Sequence, residues 1–69
     1  MKFAFIIMNN FNSREDRASI HNGAAQIIGV KDIEDAITVA KELQVDGISC
    51  IELCGAFGAE GAKRVIDAT

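Results

Sequence analysis

The sequence predicts a small α/β protein, with a mainly parallel sheet of three to four strands and two helices. Two apolar runs, at residues 2–8 and 48–53, have the length and composition of buried strands. Residues 32–45 between them repeat apolar side chains at three- and four-residue steps, which is typical of an amphipathic helix. A strand, a helix and a strand in one sheet form a parallel unit with a right-handed crossover. We expect residues 1–69 to form a single domain, since one core usually organises ~100–200 residues.

The first half of the chain predicts a strand, a loop and a hairpin. Residues 2–8 carry apolar side chains on both alternating faces, which predicts a central strand covered on both sides. An exposed loop or short helical turn follows, with Phe11 as its one apolar anchor. Asn22-Gly23 favours a type I′ turn between a short strand ending near His21 and a strand at 26–30, although a helical turn at 14–21 is an alternative.

The second half predicts two helices and the strand between them. Asp32 is a good N-cap for the first helix, and Gly47 follows its last turn, where a left-handed residue is favoured. The segment Gly47–Thr69 then predicts a buried parallel strand that passes through a glycine-rich loop into a helix at 59–68. The carboxyl end of this strand is where open parallel sheets bind ligands.

Composition excludes several classes of function. The net charge is −3 and the basic residues are scattered, so we expect no nucleic-acid partner. No apolar run is long enough to span a membrane, and the charged residues after the first strand do not fit a signal peptide. The sequence therefore predicts a soluble, cytoplasmic protein.

The two cysteines, Cys50 and Cys54, are predicted to be free thiols. Four residues of strand span ~13 Å, which is too far for a disulfide or for a shared tetrahedral metal ion. We therefore predict a reducing compartment and no metal site within one chain, with a site between subunits as the alternative. We also expect no cofactor.

Glu52 is the most unusual residue of the predicted strand. Alternation places Cys50, Glu52 and Cys54 on one face, so Glu52 is an acid among largely buried positions. Burial disfavours the charged form of a carboxyl group, which suits general acid–base catalysis. The alternative is an ion pair with Lys2, Arg17 or a neighbouring subunit.

Cys54 and His21 complete the candidate catalytic set. Cys54 lies near the positive end of the following helix, which favours a nucleophilic thiolate, but such cysteines are more often small core residues. His21 is the only histidine, so any Cys–His pair requires it to approach from another part of the fold.

The loop Gly55-Ala56-Phe57-Gly58 is the candidate ligand-binding segment. Glycines let backbone N–H groups approach a ligand, and the helix behind them favours an anion such as a phosphate or carboxylate. The alternative is a tight turn without a ligand, and Glu60 in the first helical turn would repel an anion. Phe57 is either a lid on the site or a plug in the core.

The stretch Glu52-Leu53-Cys54-Gly55-Ala56-Phe57-Gly58, together with residues 2–8 and 28–30, resembles a family of small bacterial proteins of unknown function. The resemblance covers essentially the whole chain. It implies a compact α/β fold but no known substrate, cofactor or catalytic residue. Relatives continue into another apolar strand, so the chain is either naturally short or lacks a strand that borders the sheet.

A short chain with an exposed edge predicts a homo-oligomer, a dimer or higher, formed by strand addition or by packing of apolar helix faces. Three functions stay open. The first is an oligomeric module that binds a small anion at Gly55–Gly58. The second is an isomerase- or lyase-type enzyme that uses Glu52 with Cys54 or His21, and the third is a structural or interaction domain.

Overall fold

The computed structural model describes all 69 residues, Met1–Thr69, and confirms the predicted α/β fold. A four-stranded mixed sheet has the order β2-β3-β1-β4, in which β1 is parallel to both of its neighbours and β2 is antiparallel to β3. The elements are β1 (Phe3–Met8), β2 (Arg17–Ile20), β3 (Ala25–Val30), α1 (Ile33–Val45), β4 (Cys50–Leu53), a 3₁₀ turn (Gly55–Phe57) and α2 (Gly58–Ala68).

The hydrophobic core lies on one face of this sheet, beneath the two helices. It comprises Ala4, Ile6, Ile28 and Val30 from the sheet, Ala36, Val39, Ala40 and Leu43 from α1, and Ile48, Phe57 and Val65 from the rest of the chain. Only 14 of the 69 residues are buried, because no layer covers the opposite face. The prediction that β1 is covered on both sides is therefore wrong. β1 is central in the sheet, but both helices pack on the same side of it.

Helix α1 begins and ends where the sequence predicts. The Asp32 carboxylate accepts a hydrogen bond of 2.8 Å from the backbone N–H of Asp35, as an N-cap does. Gly47 adopts a φ of +88° just after the last turn, which ends the helix at little steric cost. The helix connects β3 to β4 and crosses β1 on the way, so the two strands it joins are not neighbours.

The loop between β1 and β2 is fixed to α1 by polar contacts. The Ser13 hydroxyl donates to Asp35 at 2.9 Å, and Arg14 forms an ion pair with Glu42 at 2.8 Å. The hydrogen bond from Glu42, with the charge of that carboxylate, raises the pKa of Arg14 above its usual value. The backbone N–H of Gly29 donates to the carbonyl oxygen of Asp16 at 2.8 Å, which pairs the start of β2 with β3. Residues 17–20 therefore form a strand instead of the alternative helical turn.

The hairpin between β2 and β3 has a wider turn than Asn22-Gly23 alone. His21, Asn22 and Gly23 have φ values of +52°, +56° and +84°, so three successive residues are left-handed. Histidine and asparagine occupy this region more readily than most residues other than glycine. The predicted hairpin is confirmed, and the turn additionally includes His21.

The end of the chain differs from the prediction in one respect. β4 follows the turn at Gly47 and runs into the 3₁₀ turn and α2, as expected, but it is an edge strand and none of its four residues is fully buried. α2 packs beside α1, where a Cβ atom on Gly61 would lie 2.8 Å from Cδ1 of Ile33. An ion pair between Arg64 and Glu34 also joins the helices. Neither helix combines the length and apolar character needed to cross a membrane.

Candidate functional site

The face of the sheet opposite the helices is the main unexplained surface of the molecule, and we call it the open face. Strand alternation and register place ten side-chain positions on it. They are Ala18 and Ile20 of β2, Ala25, Ile27 and Gly29 of β3, Phe3, Phe5 and Ile7 of β1, and Cys50 and Glu52 of β4. Ile20 is 71% exposed and Ile27 41% exposed, although both are large apolar residues. Glu52 is the only charged residue among these ten positions, and Glu15 and Asp16 of the loop before β2 line a second cavity at the edge of this face, beside Ala18.

A shallow apolar groove of about 230 Å³ crosses the open face. Large side chains, among them Phe3, Phe5 and Ile27, line it together with the small side chains of Ala18 and Ala25. A cavity of ~150 Å³ can already hold benzene, so the groove has room for a branched or aromatic side chain. Its lining offers a ligand shape and apolar contact but almost no hydrogen bonds.

Phe11 covers one end of the open face, and this is the anchoring role that the sequence predicts for it. Its ring lies against the backbone of β3 at Gly29, where a Cβ atom would come within 2.6 Å of Cγ of Phe11. Any larger residue at position 29 would push the ring away. Gly29 therefore permits the loop after β1 to close over this corner of the sheet.

The structure corrects the prediction for Glu52, because its side chain is exposed. It belongs to an edge strand and points to the open face, where no second layer excludes water. No ion pair involves Glu52, and Arg17 instead donates from Nε to the carbonyl oxygen of Ser13 at 2.8 Å. The argument from burial for acid–base catalysis by Glu52 therefore loses its physical basis.

The three candidate catalytic residues do not converge. Cys54 packs against the core, and its Sγ accepts a hydrogen bond of 3.4 Å from the backbone N–H of Met8, at the carboxyl end of β1. His21 lies in the turn beside the amino end of β1, where Ala24 accepts a hydrogen bond from Phe3. The length of β1 separates the two ends by roughly 16 Å, since a strand rises ~3.3 Å per residue.

No three His, Cys, Asp or Glu side chains lie close enough together to hold a metal ion. Both cysteines are free thiols, as the sequence predicts. Cys50 lies on the open face beside Phe3, whereas Cys54 contacts the core cluster. The two thiols therefore have different surroundings.

The glycine loop has a specific backbone geometry. Phe57 is a plug in the core at 6% exposure, so it is not a lid. Gly58 has φ +64° and ψ 179°, a combination that is essentially restricted to glycine. A Cβ atom on Gly55 or Gly58 would meet nothing within 4 Å, so the surface above the loop is open to solvent. Glu60 occupies the first turn of α2, as the sequence shows.

The backbone of Gly58 leads to a testable prediction. Gly58→Ala forces a Cβ atom into an unfavourable backbone region and is expected to lower the free energy of unfolding by about 2 kcal/mol. Gly55→Ala is the matched control, because Gly55 lacks a positive φ and has the same open surroundings. Urea unfolding followed by circular dichroism measures both. Equal stability of the two variants would contradict the assigned loop conformation.

The sequence analysis does not identify the open face as an exposed apolar surface. The available signal was the second apolar set of β1, Phe3, Phe5 and Ile7, which we interpreted as a second buried face. Two helices are too few to cover both faces of a four-stranded sheet. The number of predicted helices therefore indicates that one apolar face of the sheet stays uncovered within the chain.

Comparison with known proteins supports the family resemblance without adding a function. The model of DUF6506, described as a family of unknown function, matches residues 1–69, which is the whole chain. No curated protein matches the chain, and no solved structure matches it.

Proposed function

Since the chain belongs to DUF6506, a family of unknown function, membership assigns it no activity, and we propose from its geometry a self-associating interaction domain. The open face is the surface that binds, and a second copy of the chain is its partner. The observation that carries this proposal is a set of apolar side chains, with Glu52 as the one charged strand position among them, on a sheet covered by helices on one side only.

Parallel sheets support this proposal because they rarely leave a face in water. Sheets built from parallel strands occur almost only where both faces are covered. The three strands β3, β1 and β4 are parallel, and their open face carries Phe3, Phe5 and Ile27. A short chain also gains stability from a partner, since its own core is small. A second copy supplies the missing layer.

The size of the open face fits a weak to moderate dimer. Six residues at ~3.3 Å and four strands at ~4.8 Å give a projected area of roughly 400 Å². Side-chain relief and the ring of Phe11 raise the contact area above this projection. Specific interfaces bury about 600–1,000 Å² on each partner, and about 500 Å² is a practical minimum, so the face lies near that minimum. We therefore expect a dissociation constant in the micromolar range.

Sedimentation velocity of the unmodified chain over a wide concentration range tests the proposal. The expected mass rises from the 7.4 kDa of one chain to twice that value as the concentration passes through the micromolar range. High salt should not dissociate the dimer, because burial of apolar surface is the main driving force for association. A single 7.4 kDa species at all concentrations up to millimolar would overturn the proposal.

Anion binding at Gly55, Ala56, Phe57 and Gly58 is a second candidate function. The open surroundings of Gly55 and Gly58 leave room for a ligand at the amino end of α2, where helices favour negative charge. Glu60 competes for the same positive end. We expect phosphate to raise the melting temperature slightly and Glu60→Gln to increase that effect. A Glu60→Gln variant with no response to phosphate would count against this function.

A further inference from the structure

Register across the sheet arranges the open face in rows, and these rows determine how two copies can pack. Paired residues of neighbouring strands lie side by side on one face. The first row is Ile20, Ala25, Phe3 and Cys50, and the second row is Ala18, Ile27, Phe5 and Glu52. A third, shorter row contains Gly29 and Ile7, and Phe11 covers part of it. The first row alternates in side-chain size, whereas the second row has its two large apolar residues, Ile27 and Phe5, side by side at its centre. Each row has different residues at its β2 end and its β4 end.

We propose that the two copies are related by a two-fold axis that runs along the strands, so that β3 of each copy lies over β1 of its partner. This inference rests on the proposed function and adds the orientation of the partner to it. An axis along the strands keeps each row opposite the same row of the partner but reverses its order. The residue on β2 at one end of a row then lies opposite the residue on β4 at the other end of the partner's row.

In the first row this arrangement places large side chains opposite small ones. Phe3 lies over the partner's Ala25, and Ile20 lies over the partner's Cys50. Ile27 and Phe5 face each other twice, once on each side of the axis, and form the centre of the interface. Facing layers interdigitate best when large and small residues alternate, as they do in the first row. The Ile27–Phe5 contacts of the second row contribute apolar area instead. The same symmetry makes every contact occur twice, as in any isologous dimer.

Charge selects the same arrangement. With the axis along the strands, Glu52 lies over the partner's Ala18, a small residue on the exposed edge strand β2, where its carboxylate stays in contact with water. A two-fold axis perpendicular to the strands would instead place each strand over the same strand of the partner. At full overlap of the three rows, Glu52 would then lie against the partner's Glu52. Two like charges at that position disfavour association.

Ala18→Lys tests the orientation through the sign of its effect. In the proposed dimer each new ammonium group lies near the partner's Glu52, and two such rim pairs should lower the dissociation constant about threefold to tenfold at low salt. The gain should disappear when Ala18→Lys is combined with Glu52→Gln. Sedimentation equilibrium of the unmodified chain, the two single variants and the double variant measures this coupling.

The outcomes separate this inference from the proposed function. A dissociation constant that rises, stays unchanged, or falls equally in the Glu52→Gln background overturns the orientation, although the unmodified chain still dimerises. An unmodified chain that stays monomeric overturns the proposed function itself. Ala18 lies on an exposed edge strand, so a lysine there should leave the fold intact, and circular dichroism checks this.

Chemical cross-linking gives a second test, which does not depend on measuring small changes in the dissociation constant. Ile20→Cys places a thiol opposite the partner's Cys50, across the ~10 Å that separates two packed sheets. A short bis-maleimide should therefore link position 20 of one chain to Cys50 of the other, and peptide mass mapping identifies the linked pair. The unmodified chain is the control. Links between position 20 of both chains, or no linked dimer at concentrations where dimer forms, overturn the proposed axis.

Discussion

Ile6→Ala is expected to lower the free energy of unfolding by about 2–5 kcal/mol, the largest loss of any single truncation discussed for this chain. Ile6 is 0% exposed at the middle of the central strand, with Ile28 and Leu53 as its register partners. Truncation of a buried isoleucine to alanine costs about 2–5 kcal/mol, which includes the cavity left behind. A chain of this length has a total stability of roughly 3–10 kcal/mol, so this loss is a large part of the total.

The adjacent residue provides the matched control for this prediction. Ile7 has the same side chain but points to the open face and is only partly buried. Ile7→Ala should therefore cost about 1 kcal/mol in the monomer, since less apolar area is removed from water. Urea unfolding at a concentration below the dimer range compares the two variants. Equal losses of stability would contradict the assignment of Ile6 to the covered face and Ile7 to the open face.

Ile27→Lys is expected to raise the dissociation constant of the dimer at least about 100-fold. Ile27 lies in the centre of the proposed interface, opposite Phe5 of the partner, so an ammonium group there would lose its water without gaining an ion pair. In the monomer this side chain is 41% exposed, and a lysine can extend into solvent. The variant should therefore fold as a monomer.

Ile66→Lys is the control for the dimer prediction. Ile66 is 68% exposed on α2 and faces away from the sheet, so its substitution should leave association unchanged. Sedimentation velocity at several concentrations measures both variants. Loss of association in Ile66→Lys with none in Ile27→Lys would assign the interface to the helices instead, which is the alternative that the apolar helix faces suggest.

Local features of the fold could be predicted from the sequence because local interactions determine them. The N-cap at Asp32, the left-handed Gly47 and the hairpin before β3 each depend on a few adjacent residues. The buried position of Phe57 was one of two alternatives, and only packing against distant residues decides between them. Strand order and the side on which helices pack depend on contacts between residues far apart in sequence.

The errors at the candidate site have the same physical origin. The alternation of Glu52 with apolar residues predicts that it is buried, but an edge strand without a covering layer exposes that position. Phe3, Phe5 and Ile7 looked like a second buried face, and the structure leaves them partly exposed. Apolar residues on both faces of β1 indicate that burial of both faces is favourable. They do not indicate whether the same chain or a partner provides it.

Isoleucine methyl NMR during dilution tests the central claim most directly, because isoleucines occur on both sides of the molecule. Ile20, Ile27 and Ile7 lie on the open face, whereas Ile33 and Ile66 belong to the helices. Dilution through the micromolar range should shift the methyl signals of the first three and leave those of the helices in place. Shifts confined to the helix methyl groups, or no shift at any isoleucine, would contradict self-association through the open face.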